Sequence, residues 1–252
     1  MFTALADPKK PARIGPVLLG PQPVKILTSI MASAISDLIE TALDYQKQPA
    51  DILEWRADFF GAPEINSFIA AALELKQRIE KPVLFTLRTK AEGGLFPEEG
   101  NYLELVRCVA QSGLVDAIDL ELKRGATKDD AALAHAANTT VVMSYHNFSQ
   151  TPPIKELVDI CLEMDALHAD ILKIAVMPQK PEDVLALLEA TCIVRRCTQK
   201  PVISMSMGRW GALSRVAGTL FGSCATFASI DKVSAPGQFS ITSAKKLMQE
   251  LF

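Results

Sequence analysis

The chain has 252 residues, 49% of them hydrophobic and 22% charged, with a formal net charge of −3. That length and apolar content suit one large α/β domain with a full core, and the scattered Lys and Arg leave no basic surface for nucleic acid or an anionic membrane. Five cysteines form no Cys-x-x-Cys pair and read as reduced thiols, the start lacks the apolar stretch of a signal peptide, and no run is long enough to span a bilayer, so the expectation is a cytoplasmic protein.

Residues 1–23 are rich in Pro and Gly and break into two apolar pieces, Phe2-Thr3-Ala4-Leu5 and Val17-Leu18-Leu19, which read as an irregular hairpin plugging the bottom of the main domain. A rhythm then sets in that persists to the end. Apolar, β-branched runs occupy residues 24–31, 51–58, 81–88, 117–122, 139–146, 170–177, 200–207 and 224–230. Helical periodicity follows in segments such as 35–45, 65–79, 102–110, 154–167, 184–194 and 241–251. Proline and acidic residues open several of these, as in Pro63-Glu64, Pro97-Glu98-Glu99 and Pro181-Glu182-Asp183, which suits a helix first turn.

Eight strand-helix units in about 230 residues match the size and period of a (β/α)8 barrel. The alternative is a doubly wound open sheet, but no Gly-x-Gly-x-x-Gly follows the first strand. The chain therefore reads as a single TIM-barrel domain over 1–252, with 1–23 as the closing hairpin and 24–252 as the eight units. In a barrel, chemistry sits at the carboxyl ends of the strands.

Side chains two apart on a strand share a face. The second strand then puts Glu54 and Arg56 on one face, and the third ends with Thr86 and Arg88 together, with Glu92 in the loop beyond. The fourth offers Asp119 and Glu121, the fifth Ser144 and His146, the seventh Met205 and Met207, and the first Ser29 and Met31. Each has a plain structural reading. Glu54 with Arg56 can be an ordinary ion pair, Asp119 and Glu121 read as structural, the methionines as core, and His135 and His168, in helical segments, as structural. What carries weight is that Arg88, His146 and Lys173 all end on one rim.

Lys173 sits at the centre of the sixth run, Ile171-Leu172-Lys173-Ile174-Ala175. An ammonium in a strand buried on both faces loses its hydration and is seldom kept there unless paired or used. One reading is an imine-forming lysine, its amine exposed by desolvation and by Arg56 and Arg88 nearby; the other is a lysine that snorkels or sits in a buried ion pair. After the seventh strand, Gly208-Arg209-Trp210-Gly211 allows a tight turn, and Arg215 is expected in the first turns of the next helix, where backbone N–H groups and a guanidinium hold an anion. After the eighth, Ser234-Ala235-Pro236-Gly237-Gln238 reads as a mobile lid or a plain turn.

Taken together, Glu54-Trp55-Arg56-Ala57-Asp58, Phe85-Thr86-Leu87-Arg88, Ser144-Tyr145-His146-Asn147-Phe148, Leu172-Lys173-Ile174-Ala175, Ser204-Met205-Ser206-Met207-Gly208 and Ser234-Ala235-Pro236-Gly237-Gln238 resemble, in order, the motifs of the type I 3-dehydroquinate dehydratases of the shikimate pathway. The resemblance runs from about residue 24 to the C-terminus. It implies a homodimeric TIM barrel that dehydrates 3-dehydroquinate to 3-dehydroshikimate without metal or cofactor. By position it implies that Lys173 forms the Schiff base, that His146 is the general acid/base, and that Glu92 pairs with that histidine. It implies substrate binding by Ser29, Glu54, Arg56, Arg88, Arg215, Ser234 and Gln238, with Arg215 as the carboxylate clamp. Arg209 stands where many members carry lysine, and the proline-rich start adds no usable motif to the resemblance. Two rival readings are a class I aldolase, which also uses a lysine imine in a barrel but binds sugar phosphates, and a barrel kept as a non-catalytic binding protein.

Overall fold

A computed structural model describes residues 10–20, 23–61, 63–97 and 100–251. It opens with an antiparallel hairpin, β1 (Ala12–Ile14) against β2 (Val17–Leu19), in which Ile14 lies opposite Val17. The hairpin expected from the sequence is present with one arm changed. Val17–Leu19 pairs with Ala12–Ile14, and Phe2-Thr3-Ala4-Leu5 lies outside the described residues.

Alternation of strand and helix follows. β3 (Lys25–Ile30) leads to α1 (Ile35–Tyr45), β4 (Ile52–Arg56) to α2 (Ile65–Arg78), β5 (Val83–Thr86) to α3 (Tyr102–Ser112), and β6 (Ala117–Glu121) to α4 (Lys128–Ala136). The second half runs β7 (Thr140–Asn147), α5 (Ile154–Ala166), β8 (Ile171–Val176), α6 (Pro181–Cys197), β9 (Val202–Ser206), α7 (Gly208–Ala217), β10 (Ala225–Phe227) and α8 (Ile241–Leu251). Pro181 takes the first helical position of α6, where its missing N–H costs nothing. His135 lies in α4 with Nε2 2.8 Å from Asp170, whereas His168 falls just beyond α5 in a left-handed turn, not in the helix. The cysteines are free thiols, with Cys161 and Cys224 buried and Cys197 exposed. Among the described residues no helix is long and apolar enough to cross a membrane.

The eight strands pair in parallel in the order β10-β3-β4-β5-β6-β7-β8-β9. The ends of this sheet meet, so the open-sheet alternative is excluded. A bridge joins Val202 to Ser223, Cys224 N–H donates to the Val202 carbonyl (2.8 Å), and Ser204 N–H donates to Ser223 Oγ (3.1 Å). Hydrogen bonds to the residues preceding β10 thus seal the seam that a three-residue strand would leave open.

Alternation sorts each strand into two sets. Trp55, Phe85, Ile118, Met143, Leu172 and Ile174 face outward into the helix layer, where Trp55 and Phe85 stack edge to face at 5.2 Å between ring centroids. Inside the barrel, Leu27, Ile52, Leu84, Ala117, Val142, Ile171 and Ile203 form an apolar floor, against which Ile14 and Leu19 of the hairpin pack. Two residues further along β3 to β8 the interior turns polar, while β9 and β10 keep Met205 and Phe227 at that level. There Ser29 lies beside Glu54, Thr86 beside Asp119, and Ser144 beside Lys173 in register. A dry floor below and polar groups above put every ionisable interior side chain towards the carboxyl ends.

Candidate active site

Lys173, at the middle of β8, is 3% exposed. Its Nζ donates to Asp119 Oδ2 at 2.9 Å and lies 3.5 Å from Glu54 Oε1 and 4.6 Å from the centroid of the Phe227 ring. Arg88 stands near the amine, as expected, since it binds the same Asp119 oxygen, but the direct partners of Nζ are acids. β4 and β6 both aim acids at the barrel axis, so Glu54 and Asp119 meet the amine, while Arg56 is turned to a partner of its own. Arg56 forks onto Asp58 with Nε and Nη2 at 2.8 Å each, so its ion-pair partner is Asp58 and not Glu54. The same Asp58 carboxylate accepts the N–H of Leu95, tying Arg56 to the loop that follows β5.

Arg88, just past β5, reaches across to three acids: Nη2 to Asp119 Oδ2 at 2.8 Å, and Nη1 to Glu121 Oε1 at 2.8 Å and Glu92 Oε2 at 3.5 Å. Asp119 and Glu121, which the sequence alone assigned to structure, are 1% and 0% exposed and stand inside the site. Burial by itself would raise the Asp119 carboxyl, but the charges of Arg88 and Lys173 outweigh it and hold the group well below the usual carboxylate range. Asp119 Oδ1 accepts the Ser144 hydroxyl at 2.5 Å, so both its oxygens are held.

His146 stands on the same face of β7 as Ser144. Glu92 reaches it from the short turn after β5, where Gly93 adopts φ +80 and any Cβ would sit 2.2 Å from the Phe148 ring. Glu92 Oε2 accepts the backbone N–H of His146 at 3.0 Å and contacts Nδ1 at 2.8 Å. An oxygen already accepting from the backbone also accepts from the ring, so the network assigns the proton to Nδ1 and the lone pair to Nε2. Burial, with the positive charges of Arg88 and Lys173, holds the imidazole well below its ordinary range. Burial and the neighbouring charges of Glu121 and Asp119 push the Glu92 carboxyl up to about 8 against the pull of Arg88, and its Oε1 is buried without a hydrogen-bond partner among the described residues.

Arg215 does not lie in the first turns of a helix as expected. α7 already begins at Gly208, so Arg215 falls in its last turn and the helix N-terminus is not its partner. Instead the side chain is buried under the 234–238 loop. Nη2 donates to the Pro236 carbonyl at 3.0 Å, Nε has no partner among the described residues, and burial lowers the guanidinium to about 10. That loop is seated on the barrel. Ser234 Oγ donates to Ser29 Oγ (3.0 Å), Gln238 Nε2 donates to Ser234 Oγ (2.9 Å), and Gly208 N–H donates to the Pro236 carbonyl (3.1 Å). Ser29 in turn donates to Glu54 Oε2 at 2.5 Å, and Thr86 to Oε1 at 3.0 Å.

A cavity opens at this end, lined by nine of the ten residues singled out in the sequence: Glu54, Arg56, Arg88, Glu92, His146, Lys173, Arg215, Ser234 and Gln238. Ser29 stands behind the wall, reaching it through Glu54 and Ser234. Met205, Met207, Phe227 and Phe148 add larger apolar groups to the lining. The methionines, read as core, are thus walls of the cavity, and Phe227 and Phe148 were not singled out as site residues. Strand alternation was the available signal for Asp119 and Phe227. For Phe148, in a loop, there was none.

A closed parallel barrel whose carboxyl end gathers a dry lysine, an imidazole with its carboxylate partner and an under-bonded guanidinium defines a (β/α)8 enzyme acting on a small anionic molecule with an electrophilic carbon. The family model for type I 3-dehydroquinase matches residues 26–252, and the chain belongs to that family. It is 42% identical over 245 residues to the 3-dehydroquinate dehydratase of Salmonella typhimurium, covering 95% of this chain and 97% of that one. Among solved structures it is similar to the 3-dehydroquinate dehydratase from Geobacillus kaustophilus, at a TM-score of 0.93 and 34% identity over 99% of this chain and 98% of that one. It also resembles the type I 3-dehydroquinate dehydratase from Clostridium difficile, solved with covalently modified comenic acid, at a TM-score of 0.89 and 36% identity over 96% and 97% of the two chains.

Proposed function

We propose that this chain is a hydro-lyase that removes water from 3-dehydroquinate to give 3-dehydroshikimate in the shikimate pathway, working as a cytoplasmic homodimer without metal or cofactor. The observation that carries the reading is that a buried lysine and a half-buried imidazole line one cavity in a member of this family.

The amine of Lys173 attacks the ring ketone, and loss of water leaves a protonated imine. That cation withdraws electrons from the adjacent C–H bond, so a base as mild as imidazole can take the proton. His146 is suited to the task. Its Nδ1–H is held by Glu92, its Nε2 carries the lone pair, and its depressed basicity keeps it neutral through the neutral range. The resulting enamine expels the β-hydroxyl as water, with the protonated His146 donating to the leaving oxygen. Hydrolysis of the product imine then restores the amine. Arg215 offers an unpaired Nε to the substrate carboxylate, and Glu54, Arg56, Arg88, Ser234 and Gln238 offer charges, hydroxyl and amide groups to the ring hydroxyls. A seated 234–238 loop keeps bulk water from the imine.

The deciding experiment is borohydride reduction in the presence of 3-dehydroquinate, followed by intact-mass analysis and peptide mapping. Wild type is expected to gain the mass of the reduced adduct on Lys173, and Lys173→Ala to gain none and lose turnover. His146→Ala is expected to accumulate a trappable imine without releasing product, read from the absorbance of the conjugated enone. An adduct on another lysine, or normal turnover by His146→Ala, sinks the assignment. Homodimer formation is tested separately by sedimentation, where a mass near one chain overturns it.

A further inference from the structure

Asp119 is the closest acid to the reacting nitrogen, at 2.9 Å, and it does not line the substrate cavity, so its reach is to Lys173 and not to a bound ring. We propose that Asp119 and the face of Phe227 form a counter-ion cage for the Lys173 nitrogen, holding positive charge there first as ammonium and then as the protonated imine. This rests on the lysine-imine reading above.

Imine formation turns an ammonium and a ketone into a protonated imine and water. One N–C bond forms, the C–O bond breaks, two protons leave nitrogen with the oxygen as water, and the single positive charge stays at nitrogen. A site that stabilises charge at that one point therefore serves both ends of the step without rearranging. The groups around the nitrogen divide accordingly. Glu54, from β4, lies further off at 3.5 Å, lines the cavity, and already accepts hydroxyls from Ser29 and Thr86. Asp119, from β6, is pinned by Arg88 at 2.8 Å and by Ser144 at 2.5 Å. With a guanidinium bound to the same oxygen that faces Lys173, Asp119 is a poor proton acceptor and a fixed negative charge. His146, from β7, is occupied by Glu92. On the remaining side β10 supplies an aromatic face 4.6 Å from Nζ, which attracts a cation without taking its proton. The protonated imine keeps a single N–H, and the nearest acceptor for it is Asp119.

The test uses the full-length enzyme with 3-dehydroquinate and borohydride, measuring the trapped fraction from pH 5 to pH 9. Asp119→Asn is expected to trap about tenfold less adduct at neutral pH, because the imine cation loses its counter-charge. Phe227→Leu removes only the ring face and is expected to lower trapping severalfold with a native circular dichroism spectrum. A folded Asp119→Asn that traps as wild type does at every pH overturns the cage and leaves Asp119 as a brace for Arg88. Should Asp119→Asn fail to fold, Phe227→Leu decides, and unchanged trapping there is the overturning result. Wild type that traps nothing would instead overturn the lysine-imine reading, so the two failures are distinct.

Discussion

A buried carboxyl with one empty oxygen is expensive, and Glu92 shows how such a group trades stability for chemistry. Its carboxyl is pushed up to about 8 in the folded chain, against about 4.3 in an unfolded one. Between those values the native state keeps a proton that the unfolded state has lost, so this residue's contribution becomes more destabilising as pH rises through the window. Glu92→Gln does not titrate. Relative to wild type, its unfolding free energy is expected to rise between pH 5 and pH 8, on the order of 2–4 kcal/mol, while turnover collapses because Nδ1 loses its acidic partner. Urea melts at the two pH values check this, and a difference that does not change with pH refutes it. Arg215 gives a different signature. Removing a group that binds the substrate carboxylate equally in ground and transition states is expected to raise KM roughly 10- to 100-fold with kcat less affected, and an unchanged KM for Arg215→Ala removes the clamp assignment.

The 234–238 loop and α7 act as one piece. The Pro236 carbonyl accepts both the Gly208 N–H and the Arg215 guanidinium, so seating the loop also orients the arginine. Gly237 makes this possible. It adopts φ +80, and a Cβ there would lie 2.2 Å from the Gly208 carbonyl oxygen, so only glycine lets the loop approach. Gly237→Ala is expected to unseat the loop, breaking the Ser234–Ser29 bond, and to raise KM roughly tenfold with little change in melting temperature. Steady-state kinetics beside a thermal melt separate this from a folding defect. The small, polar composition of the loop was visible in the sequence, but its docking on Gly208 was not, since the two segments lie far apart in the chain and meet only when the barrel closes.

For the molecule as a whole, the apolar floor and the polar mouth divide the barrel into a part that holds it together and a part that works. Ile14 is fully buried in the floor, beneath the site. Ile14→Ala is expected to cost about 2–4 kcal/mol of stability through lost burial and the cavity left behind, with KM and kcat unchanged, as denaturant melts and kinetics on one preparation will show. A change in KM would mean the floor and the site are not independent.

Periodicity was enough to read most of this architecture. Eight apolar runs, each followed by a helical segment, announce the barrel, and alternation puts Glu54, Arg88, Ser144, His146 and Lys173 on inward faces. Two of the eight helices show a weaker pattern than the rest. α4 is short and rich in alanine, and α7 opens on glycine and leaves Trp210 and Leu213 exposed, so neither shows a clean apolar stripe. The linear pattern states which face a side chain takes, because that depends only on its own strand. It does not state which side chains meet across the interior. That depends on stagger and closure, which relate strands distant in the chain. Hence Lys173 turned out to pair with Asp119, whose oxygen it shares with Arg88, Arg56 to fork onto Asp58, and Arg215 to sit beneath a loop and not at a helix start. Ordered motifs identified the family; the electrostatics around Lys173 came from the closed barrel alone, where distances of about 3 Å between ionised groups outweigh any preference a single strand expresses.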